Sequence, residues 1–227
     1  GRSASPQWRS TAASRDILGA VRAILLSLEL LAVFVAAPVS LRFVHLGRGK
    51  LLVLLAVTIG CLALLRRDPT FDRRELGGRR LLRREGRGIA LRSVGAAAII
   101  AAVLLARGAP FLDLPRDHPR LWLVILVFYP LVSAWPQELL YRTFFFHRYA
   151  GLLGRRGTIA ASGIAFAVLH VVFVDPIAMA LTLPMGLVLA HRYAAHRRLA
   201  PVWVEHALYG WAVFTLGLGA AFFRAAG

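Results

Sequence analysis

The chain has 227 residues, of which 58% are apolar and only 17% charged, with a mean hydropathy of +0.65. That composition excludes a soluble domain of this size and indicates a chain embedded in a membrane. The formal charge of +17 does not indicate nucleic acid, because the basic residues fall in short clusters between long apolar runs, as they do in loops at an anionic membrane surface.

A bilayer core about 30 Å thick needs roughly 20 apolar helical residues. By that rule the sequence predicts seven transmembrane helices, near 17–41, 50–65, 89–112, 120–146, 157–174, 177–193 and 199–223. The fold class expected is all-α, a polytopic membrane helix bundle. Residues 1–16 read as a cytoplasmic amino-terminal segment, 17–118 as an amino-terminal group of helices and 119–227 as a second group carrying the chemistry. Arg2, Arg9 and Arg15 precede an apolar run too long for a signal peptide core, so the first run is expected to remain as a membrane helix.

The loop 66–88 carries nine arginines against four acids and is expected in the cytoplasm. It reads either as a surface-lying amphipathic piece or as a solvated linker. Alternation places Arg148, Arg155 and Arg156, and then Arg192, Arg197 and Arg198, on the same side. The opposite loops are poorer in charge, with Arg107, Asp113, Arg116 and Asp117 in one and Asp175 in another. Residues 42–50, with Arg42, Arg48 and Lys50, fit this orientation least well. The single cysteine, Cys61, lies in an apolar stretch and is expected to be an inert buried thiol, so no disulfide framework or cysteine metal site is available.

Ionisable groups inside a spanning helix are costly unless paired, which marks each one for attention. They are Arg22 and Glu29 in the first run, Glu138 and Arg142 in the fourth, His170 in the fifth, and Glu205 with His206 in the seventh. Glu138 and Arg142 stand four apart and share a helix face, which suits an ion pair. Glu205 points about 100° away from His206 and is expected to be paired or cytosol-facing. His147, His191 and His196 sit at helix ends and need no special role. Trp135, Tyr141, Trp203, Tyr209 and Trp211 read as interfacial or packing aromatics. One acid and two histidines on three late helices, Glu138, His170 and His206, suit a divalent metal if the bundle gathers them.

The order of Gln137-Glu138-Leu139-Leu140-Tyr141-Arg142, Phe166-Ala167-Val168-Leu169-His170 and His206-Ala207-Leu208-Tyr209-Gly210 resembles the three signatures Glu-Glu-x-x-x-Arg, Phe-x-x-x-His and His-x-x-x-Asn. These belong to the CAAX-protease and bacteriocin-processing (CPBP) family of intramembrane metalloproteases. The resemblance covers about 137–210 and implies catalytic roles for Glu138, Gln137, Arg142, His170 and His206. It further implies a zinc-like ion on His170, His206 and Glu138, and substrate contacts by Phe166, Tyr141 and Gly210. Gln137 stands where the first glutamate belongs, and an amide cannot accept a proton at neutral pH. Gly210 stands where the signature has asparagine. Three readings of Gln137 follow: Glu138 serves as the base, the protein is catalytically silent, or the glutamine is an introduced substitution.

The function expected is hydrolysis of a membrane-associated protein or peptide that is lipidated, leader-bearing or hydrophobic-tailed, in the inner membrane of a bacterium. Lipids and that substrate are the expected partners, and nucleic acid is not. An inactive scaffold or immunity protein is the alternative, and a proton-coupled carrier is a more distant third. Counting 1.5 Å per residue from the cytoplasmic ends puts Glu138 and His206 roughly 10–12 Å deep but His170 about 20 Å deep, a mismatch the fold has to absorb.

Overall fold

A computed structural model describes residues 7–44, 47, 49–173 and 176–219. Arg2, Arg48 and Asp175, and the last part of the run expected to reach 223, lie outside the described residues.

Among the described residues the chain is helical throughout, with no strand, and seven long helices form the bundle. Helix α1 covers Gln7–Leu31, passes through a π-helical turn at Ala32–Ala36 and continues over Ala37–Phe43. Helix α2 is Gly49–Arg67 and α3 is Arg79–Ala106. A short helix at Asp113–Asp117 leads into α4, which starts at Pro119 and is broken by π turns at Pro130–Ala134 and Leu139–Phe144. The helical run Phe145–Leu169 is interrupted at Gly154, where φ is 65° and ψ is 176°. That backbone region favours glycine, which lacks the Cβ that would clash, and the chain uses it to turn from the end of α4 into α5, residues 155–169. Helix α6 is Pro176–His196 and α7 is Leu199–Leu216.

Four stretches, Ser14–Phe43, Gly49–Arg67, Arg79–Ala106 and Pro119–Val172, are long and apolar enough to cross a bilayer. The protein is an integral membrane protein. The expected third helix is corrected at its start, since α3 begins at Arg79 and not at 89. The Arg and Leu pairs of 79–87 are good helix formers and extend the span by more than two turns. The expected loop 66–88 therefore shrinks to the stretch between α2 and α3, and it is neither a free linker nor a surface-lying helix. It docks: Glu75 is buried and accepts from the Tyr193 hydroxyl at 2.6 Å and Arg197 Nε at 3.0 Å, while Gly77 O accepts from Ala200 N at 3.1 Å. Asp68 pairs with His147 Nε2 at 2.9 Å. These contacts bring the three basic clusters to one end of the bundle.

Helices α5 and α6 meet through glycines. A Cβ at Gly163 would lie 2.6 Å from Leu187 Cδ2, and one at Gly186 would lie 2.9 Å from Gly163 O. Small residues let membrane helices approach until their backbones touch, which replaces the missing hydrophobic drive with close packing. Helix α3 is tied to α7 by Arg92 and Glu205. Helix α1 reaches the core through Glu29, which accepts from Arg148 Nη2 at 2.6 Å and from the Tyr149 hydroxyl at 2.9 Å, and through Phe34, edge-on to Tyr141, Phe145 and Tyr149. Arg22 is exposed.

Candidate active site

The site begins with two prolines in α4. Pro130 has no N–H to give to Leu126 O, and Trp211 Nε1 of α7 donates there at 3.0 Å. Trp203 Nε1 donates to Pro130 O at 2.7 Å. Two tryptophans expected only to pack or to sit at the interface thus hydrogen-bond α7 to the break in α4. Pro136 precedes the second π turn, and π turns of this kind recur at functional sites because they re-aim side chains. Between and within the two turns lie Gln137, Glu138, Tyr141 and Arg142.

Glu138 and Arg142 are both wholly buried, and Arg142 Nε stands 3.3 Å from Glu138 Oε2, the ion pair their spacing predicts. The guanidinium is held on its far side, where Nη1 donates to Ser162 Oγ at 2.7 Å and the group lies 5.0 Å over the Phe166 ring. Ser162 Oγ in turn donates to Tyr141 O at 2.6 Å. Glu138 Oε1 accepts from His206 Nδ1 at 2.8 Å. A carboxylate only accepts, so Nδ1 carries a proton, and in the neutral form of the ring that leaves the lone pair on Nε2. His170 follows the same logic, with Nδ1 donating to Phe166 O at 2.8 Å. The Phe166 ring packs against His170 at 4.8 Å and His206 at 5.4 Å between centroids. One aromatic ring therefore spans the two imidazoles.

The two Glu138 oxygens face His206 Nδ1 and Arg142, and among the described residues no group of three His, Cys, Asp or Glu side chains is placed to hold an ion. Gln137 donates through Nε2 to Ser133 Oγ at 2.9 Å, and its Oε1 is buried without a hydrogen-bond partner. With Tyr141 and His170 it lines a cavity of about 410 Å³ whose other walls are mainly apolar residues of α1 and α2, including Phe34, Pro38, Leu51 and Leu54, with Lys50 and Ser133 also at its edge. Gly210 does not open onto this cavity. Its α-carbon is covered by Tyr129, and a Cβ there would overlap the phenol ring and hydroxyl.

Glu205 is paired, as expected, and buried: Arg92 and Arg192 face its two oxygens, and the Tyr209 hydroxyl donates at 2.7 Å. His147 and His196 each face an acid, Asp68 and Glu85. Two groups went unread in the sequence. Ser162 stands four before Phe166 on one helix face, and Tyr129 stands four before Ser133 and eight before Gln137, a spacing that shares a face.

The sequence of residues 119–212 matches the family described as type II CAAX prenyl endopeptidase Rce1-like. This segment, less than half of the chain, is similar to that family. The Rce1-like segment opens at the first residue of α4 and closes within α7, so it contains the three motif stretches and both π turns. The likeness supports a CAAX-type membrane protease at the level of the family. No curated protein and no solved structure matches the chain.

Proposed function

We propose that the chain is an intramembrane peptidase that hydrolyses an amide bond near the end of a lipidated or hydrophobic-tailed protein or peptide. The observation that carries this is the wall shared by the apolar cavity and the motif residues: Gln137, Tyr141 and His170 line it, and Glu138 with His206 lies next to them. A prenyl or alkyl chain is stabilised in the cavity by about 0.8 kcal/mol per buried CH2, and that binding energy positions the amide.

The acid–base couple is Glu138 with His206. Glu138 fixes the imidazole in the tautomer that presents Nε2, so His206 is the proton acceptor and Glu138 stabilises the imidazolium, the division of labour seen in carboxylate–histidine catalysis. Water attacks the carbonyl carbon as its proton passes to His206. The tetrahedral adduct then expels the amine, which takes that proton, and the C–N bond breaks to give a carboxylate and an amine. Gln137, unable to act as a base, binds the peptide through its unpaired carbonyl oxygen. The end of the bundle holding the basic clusters, and with it the amino terminus, faces the cytoplasm.

The test is cleavage of a prenylated peptide in liposomes by wild type and by Glu138→Ala, His206→Ala and Gln137→Glu, with metal analysis of the purified protein. Wild type is expected to cleave, and the first two variants are expected to lose at least about 100-fold in kcat. Equal activity in wild type and Glu138→Ala removes Glu138 from the chemistry. Activity confined to Gln137→Glu identifies a silent member of the family.

A further inference from the structure

Tyr129 has the chemistry of an active-site group and no structural use for its hydroxyl. Its ring stands edge-on to His206, 6.0 Å between centroids, and to Phe214 at 5.3 Å. Its hydroxyl makes no hydrogen bond among the described residues. A phenol carries its proton at neutral pH, with an ordinary pKa of about 10, so it is a ready donor. It lies where α7 brings His206 and Gly210 one turn apart on one face, and the ring with its hydroxyl fills the space a side chain at 210 would take. On α4 it heads the stripe Tyr129, Ser133, Gln137, whose last two members line the apolar cavity.

A carbonyl under attack by water gathers negative charge on its oxygen, and a fixed donor in a low-dielectric site stabilises that charge strongly. The backbone offers little here, because the amides of α4 and α7 are spent within their helices. The geometry points to Tyr129 as the donor to the scissile carbonyl oxygen, beside the Glu138 and His206 couple, with Gly210 glycine because the ring needs its volume. The assignment rests on the peptidase reading above. It deepens that reading by giving the oxygen of the substrate amide a partner that the three motif stretches do not supply.

Tyr129→Phe keeps the ring against His206 and Phe214 and removes only the hydroxyl. It is expected to leave the melting temperature in place, change KM little and lower kcat about 100-fold, the usual effect of deleting one such donor. Gly210→Asn alone is expected to fail through overlap with the ring. Tyr129→Ala with Gly210→Asn vacates the ring and offers an amide donor in its space, and is expected to recover about tenfold in kcat over Tyr129→Ala alone, part of what one donor contributes. Wild-type kcat in Tyr129→Phe overturns this assignment and leaves the peptidase reading standing. An inactive wild type overturns both.

Discussion

The first three helices and the last four use similar residues in different ways. In Ser14–Phe43 the most apolar stretch is 11% buried in the protein, and in Gly49–Arg67 and Arg79–Ala106 it is 17%, against 33% in Pro119–Val172. Helices α1 and α2 present Leu, Val and Ile to lipid and touch the rest through a few residues such as Glu29, Phe34 and Cys61, whereas α3 packs along α7 through Arg92, Ile100 and Leu104. In the later helices prolines, π turns and contacting glycines replace smooth helix, and the freed backbone groups and buried charges find partners on neighbouring helices. Irregular backbone survives at membrane depth only where protein re-satisfies it, so the part of the chain able to hold a polar site is the more deeply packed part. Helices α1 and α2 matter because they form the outer wall of the cavity.

Three measurements break or sharpen that contrast. The largest effect is expected at the centre of the late helices. Arg142→Met leaves Glu138 buried without its guanidinium partner, and breaking a buried pair from one side costs about 3–5 kcal/mol. Thermal unfolding in detergent is expected to register that loss, and an unchanged melting temperature would mean that the pair is not a structural element. At the seam between the two regions, Phe34→Ala removes a ring that is 2% exposed and edge-on to three aromatics. A loss of about 3 kcal/mol is expected, with weaker binding of a prenylated peptide. If both stay as in wild type, α1 is a separable anchor and not a wall of the site.

The smallest effect is expected at the loop between α2 and α3. Hydrogen bonds from His147 and then Thr70 hold the Asp68 carboxyl well below the usual carboxylate range. A depressed folded-state value gives stability that is present above the unfolded value of about 3.9 and lost as pH falls through the folded one. Asp68→Asn is therefore expected to lower the melting temperature slightly and evenly between about pH 5 and 8, with the difference from wild type narrowing below about pH 4. A difference that grows on acidification would contradict that linkage.

The number of helices, their all-α packing class and the grouping of basic loops were legible because hydropathy and charge act locally: a run of about 20 apolar residues must span, and arginine clusters gather at one side of it. Glu138 with Arg142 was legible because helical spacing alone brings them together. The start of α3 was misplaced because the arginines of 79–87 read as loop although their helix propensity carries the span through them.

What only the tertiary structure decided is everything that depends on which helix lies beside which. That Glu138 is turned to His206 Nδ1, that Phe166 spans the two imidazoles, that α1 and α2 enclose the cavity and that Tyr129 fills the volume above Gly210 are all contacts between residues distant in the chain. No periodicity encodes them, because close packing of whole helices, set by Gly163, Gly186 and the two broken turns of α4, determines which side chains share a wall.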